Sequence, residues 1–129
     1  MEFTKSLKQN HIFRRLYSKG KSSAGSCLVV YCKKNGLPFN RLGLTASTKL
    51  GHAVVRNRVR RRIREAYRLN EAKLRYGYDI VIVARHAAID ADFDVLTACL
   101  LHQLENLGML RKELIHEEVA SASNPVLPE

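Results

Sequence analysis

At 129 residues and 46% hydrophobic composition, the chain is long enough for one domain with a real core and too apolar to be disordered. A formal net charge of +10 makes a nucleic acid or another anionic surface the leading partner class, and the charge is lopsided: residues 1–85 carry 20 Lys/Arg against 4 Asp/Glu, residues 86–129 only 2 against 8. Nothing approaches the roughly 18 apolar residues of a spanning helix, residues 1–13 hold no signal-peptide core, and Cys27, Cys32 and Cys99, without a C-x-x-C pairing, read as reduced thiols rather than a disulfide framework.

The first helix runs over residues 10–19, with Asn10 able to cap it and Gly20 to stop it. Ile12 and Leu16 face the core, and Phe13 and Tyr17 form a second pair rotated to its edge. Residues 22–26 are small and make a connector with room for a short strand. Residues 27–33 are strand-like, and alternation sets Leu28, Val30 and Cys32 against Val29 and Tyr31. A turn at 34–38 leads to a strand at 41–48, where Leu42, Leu44 and Ala46 share one face and Gly43, Thr45 and Ser47 the other. That second face is small and polar, the kind left open to a ligand or simply to solvent.

Residues 54–68 contain seven arginines and one acid, Glu65. Val55, Val59, Ile63, Ala66 and Tyr67 recur at helical spacing and fall within about a third of the circumference. Asn57, Arg61, Arg64 and Arg68 fall opposite, Arg58, Arg60 and Arg62 on the flanks, and Arg56 near the apolar edge. Arginines this dense repel one another, and Glu65 relieves only Arg61 or Arg68. A polyanion would supply the missing charge, because guanidinium forks bind phosphate bidentately at any working pH. A merely solvated basic face is the alternative.

Residues 78–84 form a nearly continuous apolar strand, as a centre covered on both faces requires. Acids at 90–94 open a last helix ending at Gly108, 110–116 suggest a short helical extension, and 117–129 a disordered tail beyond a single domain at 1–116. The order α-β-β-β-α-β-α indicates an α+β fold, a two-layer α/β sandwich with one sheet. If the strands at 41–48 and 78–84 are parallel, the arginine helix is the crossover of a β-α-β unit, normally right-handed. The five histidines lack ligand spacing, and there is no Gly-rich phosphate loop, so neither a catalytic nor a metal site is read.

The residues Lys49-x-Gly51-x-Ala53-Val54-x-Arg56-Asn57-Arg58-x-Arg60-Arg61-x-Ile63-Arg64-Glu65 resemble the signature of the bacterial ribonuclease P protein subunit. Arg41 to Leu44, Asp79 to Val81 followed by Ala84-Arg85, and Phe13 with Gly20 sit in the family's order, so the likeness covers residues 5–110. Departures are Thr48 where lysine is frequent, Arg60-Arg61 for lysine-arginine, and Tyr17 where phenylalanine also occurs. The resemblance implies a left-handed crossover, against the general rule, in a fold also found in a ribosomal protein domain. It implies a cytoplasmic subunit, with no membrane and no obligate protein partner, that joins a catalytic RNA and assists removal of the 5′ leader of precursor tRNA. Mg²⁺ would be bound mainly by that RNA. It assigns Lys49, Arg56, Asn57, Arg58, Arg60, Arg61, Arg64 and Arg68 to the catalytic RNA, and Phe13, Tyr17, Tyr31, Thr45 and Ser47 to a leader cleft, where aromatic faces would stack unpaired bases. A structural ribosomal RNA-binding protein is the competing reading. A protein-only nuclease, needing clustered carboxylates for metals, has only Asp90, Asp92 and Asp94 to offer.

Overall fold

The computed structural model describes residues 3–111. Its elements are β1 (Thr4–Ser6), α1 (Asn10–Lys19), β2 (Lys21–Ala24), β3 (Leu28–Lys34), β4 (Asn40–Thr45), α2 (Ala53–Asn70), β5 (Tyr78–Ala84) and α3 (Phe93–Asn106). They form one mixed sheet in the order β1-β4-β5-β3-β2. β5 is its centre, parallel to β4 and antiparallel to β3. Its uninterrupted apolar run is explained by this position, since Ile80, Val81 and Ile82 are covered from both faces.

Because β4 and β5 are parallel, the intervening α2 is the crossover of a β-α-β unit, as the sequence order suggested. α2 presents Val59, Ile63, Ala66 and Tyr67 to the sheet, and α3 presents Leu96, Leu100 and Leu104. Beneath them lie Leu28, Val30, Cys32, Leu42, Ile80 and Ile82. The other face carries α1, whose Ile12 and Leu16 pack with Leu7 on Val81. Cys27 and Cys32 are buried, Cys99 partly so, and all three are free thiols. Burial pushes the Cys32 thiol up, opposed by the nearby Lys21 charge.

Several boundaries differ from the sequence reading. The edge strand β1 is absent from that reading, because three residues paired only with β4 carry no periodic signal. β4 stops at Thr45, not at 48: Thr48–Leu50 is a 3-10 helix that carries Leu50 into the core. Gly51 then turns at φ 137, where side chains strain. Ser47 is therefore off the sheet, exposed at the entrance to that turn. Gln9, not Asn10, occupies the cap position of α1. Gly20 ends α1 for lack of space rather than for a left-handed turn. Its φ is −78, and a Cβ there would stand 2.6 Å from the Leu16 carbonyl oxygen. α3 begins at Phe93 with Asp94 in its first turn. Leu110 forms an antiparallel bridge with Leu74 rather than a helical extension. Arg111 donates its backbone N–H to the Lys73 carbonyl oxygen beside that bridge, and residues 112–116, with the tail at 117–129, lie outside the described residues.

Candidate nucleic-acid interface

Burying the apolar stripe of α2 turns the remainder outward, and the arginines then divide by what they touch. Arg62 donates to the carbonyl oxygens of Ala88 (3.2 Å) and Ala91, and Arg58 to that of Ile89 (3.3 Å). These two guanidinium groups hold the segment after β5 against α2. Arg68 grips Glu65 bidentately at 2.9 and 2.7 Å. That hydrogen bond holds the Glu65 carboxyl below its usual range and pushes Arg68 up. Arg60 donates to Asn57 Oδ1, which fixes the exposed Asn57 amide one turn away.

Arg61 and Arg64 are exposed and have no ion pair or hydrogen bond from their side chains among the described residues. Lys49 is exposed at the turn leading into α2. Arg56 is half-buried, and its Nε is a buried donor with no partner among the described residues. So all eight residues named from sequence lie on α2 or its approach. Arg68 is committed to Glu65, Arg58 in part to a carbonyl, and Arg56, Arg61, Arg64 and Lys49 have no ion pair among the described residues. Sequence reasoning did not include Lys5 and Lys8. With Arg64, Leu42 and Leu44 they line a cavity of 240 Å³, which carries the positive surface from α2 across β1.

The cleft residues lie on the opposite face. Phe13 roofs Gly43, where a Cβ would stand 2.4 Å from the ring's Cζ, so only glycine admits the helix this close. The small-residue face of β4 is therefore covered at Gly43 rather than open. Beside it the rings form a ladder: Phe13 and Tyr17 are 6.5 Å apart edge-on, Tyr17 and Tyr31 4.9 Å apart at 75°. The Tyr17 hydroxyl lies 3.4 Å from Thr45 Oγ1, and the side chain remains 41% exposed. Phe13, Tyr17, Tyr31 and Thr45 thus come together, and Ser47 does not share their strand face.

A polar cluster escaped the sequence reading. Arg41 donates to both oxygens of Asp79 at 2.7 and 2.8 Å, and Asn35 to one at 3.0 Å. This hydrogen bonding raises the Arg41 pKa. The signal was available: a single acid in an otherwise apolar strand needs a cationic partner when buried. Asp92 lies at the entrance to α3 and Asp94 in its first turn. Among the described residues no three His, Cys, Asp or Glu side chains gather to hold a metal ion.

The ribonuclease P family model matches residues 1–108. The ribonuclease P protein component of Alkaliphilus oremlandii is 42% identical over 81% of this chain and 91% of its own length. That of Clostridioides difficile is 50% identical over 70% and 80% respectively. The solved structure of the Staphylococcus aureus RNase P protein superposes with a TM-score of 0.74 at 34% identity, covering 82% of this chain and 97% of that one. The Thermotoga maritima RNase P protein gives 0.70 at 31% identity, over 76% and 93%. Fold, arginine helix and relatives agree, and the chain belongs to the ribonuclease P protein family.

Proposed function

We propose that α2 and the Lys49 turn dock on the RNA subunit of ribonuclease P, and that the Phe13–Tyr17–Tyr31 ladder with Thr45 receives the single-stranded 5′ leader of precursor tRNA. As a ribonuclease P protein component the chain works in tRNA processing, as the protein subunit of an endoribonuclease and partner of its RNA subunit. The family takes the place of the ribosomal alternative. The observation that carries the docking surface is the division within α2. Arg58, Arg62 and Arg68 are engaged by the protein's own atoms, whereas Arg61 and Arg64 are exposed with no carboxylate to meet them among the described residues. Phosphates are the complementary partner. The ladder supports leader binding because exposed ring faces stack unpaired bases with little demand on sequence. Mg²⁺ and bond cleavage belong in this reading to the RNA. A cytoplasmic location is part of the same reading. No described helix is long and apolar enough to cross a membrane.

The test is reconstitution with the RNA subunit and two substrates, precursor and mature tRNA. Arg61→Ala with Arg64→Ala should weaken assembly and make its salt dependence shallower by a slope of about 1 to 2. Tyr17→Ala or Tyr31→Ala should weaken precursor binding by about 1 kcal/mol or more and leave mature tRNA unchanged. Unaltered assembly at low salt, or equal losses for both tRNAs, refutes the corresponding half.

A further inference from the structure

A second positive surface lies at the opposite end of β5 from the carbonyls that hold Arg58 and Arg62. At the end of the sheet where β3 finishes and β5 begins, a cavity of 260 Å³ is lined by Lys19, Lys21, Lys33, Lys34, Tyr78 and Leu107, with Cys32. Lys21 pairs across the sheet with Cys32, and Lys34 with Tyr78. Paired residues share a face, and Cys32 and Lys34 are two apart on one strand. Lys21, Lys34 and Tyr78 therefore project to the same side. Lys19 and Lys21 flank Gly20, whose chain crosses so close to β3 that a Cβ would stand 3.0 Å from the Cys32 carbonyl oxygen. The fold thus fixes where these two ammonium groups begin.

None of the four lysines makes an ion pair with a carboxylate among the described residues. Nor does any ring stack on Tyr78 among them. The cavity is below the roughly 300 Å³ at which small-molecule pockets begin, a size for one base or one sugar-phosphate rather than a duplex. It is also remote from Arg58 and Arg62. Arg58 and Arg62 contact carbonyls beyond the C-terminal end of β5, and Tyr78 is its first residue. At about 3.3 Å per residue the strand separates them by roughly 20 Å.

We infer that this end of the sheet is a second RNA-binding site. It takes one unpaired nucleotide, its base against Tyr78 and its flanking phosphates among Lys19, Lys21 and Lys34. The site rests on the reading that the chain works bound to RNA, and it makes the protein a two-point clamp: α2 holds one segment and the lysine pocket another, across the length of β5. An acidic peptide would satisfy the ammonium groups but would not use the part of the Tyr78 ring that the core leaves uncovered, so a nucleotide fits better.

The holoenzyme is reconstituted with RNA carrying 4-thiouridine and irradiated, and the adducts are mapped by mass spectrometry. Adducts are expected at Tyr78 and within residues 19–34, in addition to those on α2. The triple variant Lys19→Ala, Lys21→Ala, Lys34→Ala should lose the Tyr78 adduct and keep those on α2. Its affinity for the RNA should fall about tenfold, with a salt slope shallower by about 2. The matching triple lysine-to-arginine variant should restore both, which separates charge from folding. Adducts on α2 with none at the pocket overturn this inference and leave the docking helix standing. Pocket adducts without any on α2 do the reverse. Protection of the pocket by polyglutamate but not by a short uridine oligonucleotide also overturns it.

Discussion

On one face of the sheet, α2 and α3 bury Leu28, Val30, Ile80 and Ile82 completely beneath Leu96, Leu100 and Leu104. On the other, α1 seals Val81 with Leu7, Ile12 and Leu16 and then stops, leaving Phe13 and Tyr31 half-buried and Tyr17 exposed. The first face has every feature of a closed core. The second is a core at one end and an aromatic surface at the other, its rings meeting edge to face with hydrocarbon still in water. A single sheet thus serves both purposes because one face holds the fold while the other is left incomplete. The same division recurs within α2, where some arginines are tied to the protein and others are not.

The comparison breaks most readily in the core. Leu100→Ala should lower stability by about 2–5 kcal/mol in urea unfolding, since the cavity under α3 has no room to collapse. Tyr17→Ala, on the thin face, should cost less than about 1 kcal/mol. If the two losses are equal, Tyr17 is a structural ring and the division between faces fails. Within α2, Arg62→Ala removes hydrogen bonds to two carbonyl oxygens and should cost about 1.5–3 kcal/mol. Arg61→Ala should leave stability within about 0.5 kcal/mol while weakening RNA binding. A stability loss at Arg61 matching that at Arg62 would erase the distinction between committed and free arginines.

Much of this was legible in the residues and some of it was not, for identifiable reasons. The apolar stripe of α2 and the continuous run of β5 are local patterns, and the burial of Val59, Ile63, Ala66 and Tyr67 follows from their spacing alone. What each arginine touches is a tertiary matter: the carbonyls that occupy Arg58 and Arg62 come from residues 88–91, a segment with no periodic relation to α2. Gly43 read as part of an open face because the ring that covers it belongs to a different helix. Alternation continued through Ser47 in the sequence, but burial of Leu50 and the turn at Gly51 draw the chain away first. Lys5 and Lys8 look like a charged N-terminus until the pairing of β1 with β4 sets them beside Arg64.

A last and subtler test asks how the closed face is tied to the sheet's edge. Tyr67 is fully buried, and its hydroxyl lies 2.9 Å from Thr4 Oγ1 and 3.5 Å from Asn40 Nδ2, which links α2 to β1 and β4. Burial pushes its phenol above the ordinary value of 10.0, and the hydrogen bonds from Thr4 and Asn40 offset this only in part. A raised pKa means that the folded chain keeps the proton longer than the unfolded one. The contribution is therefore complete below pH 10 and is lost as pH rises from there through the folded-state value. Tyr67→Phe should cost about 1 kcal/mol at neutral pH, the worth of a typical hydrogen bond. It should also flatten the decline in stability above pH 10, because phenylalanine has no proton to release. Urea midpoints for both proteins on either side of pH 10 measure this. Parallel declines would mean that Tyr67 is a packed ring whose phenol does not titrate with unfolding, and that the tie from this end of α2 to the β1 edge rests on the Phe3 N–H donating to Glu71 Oε2.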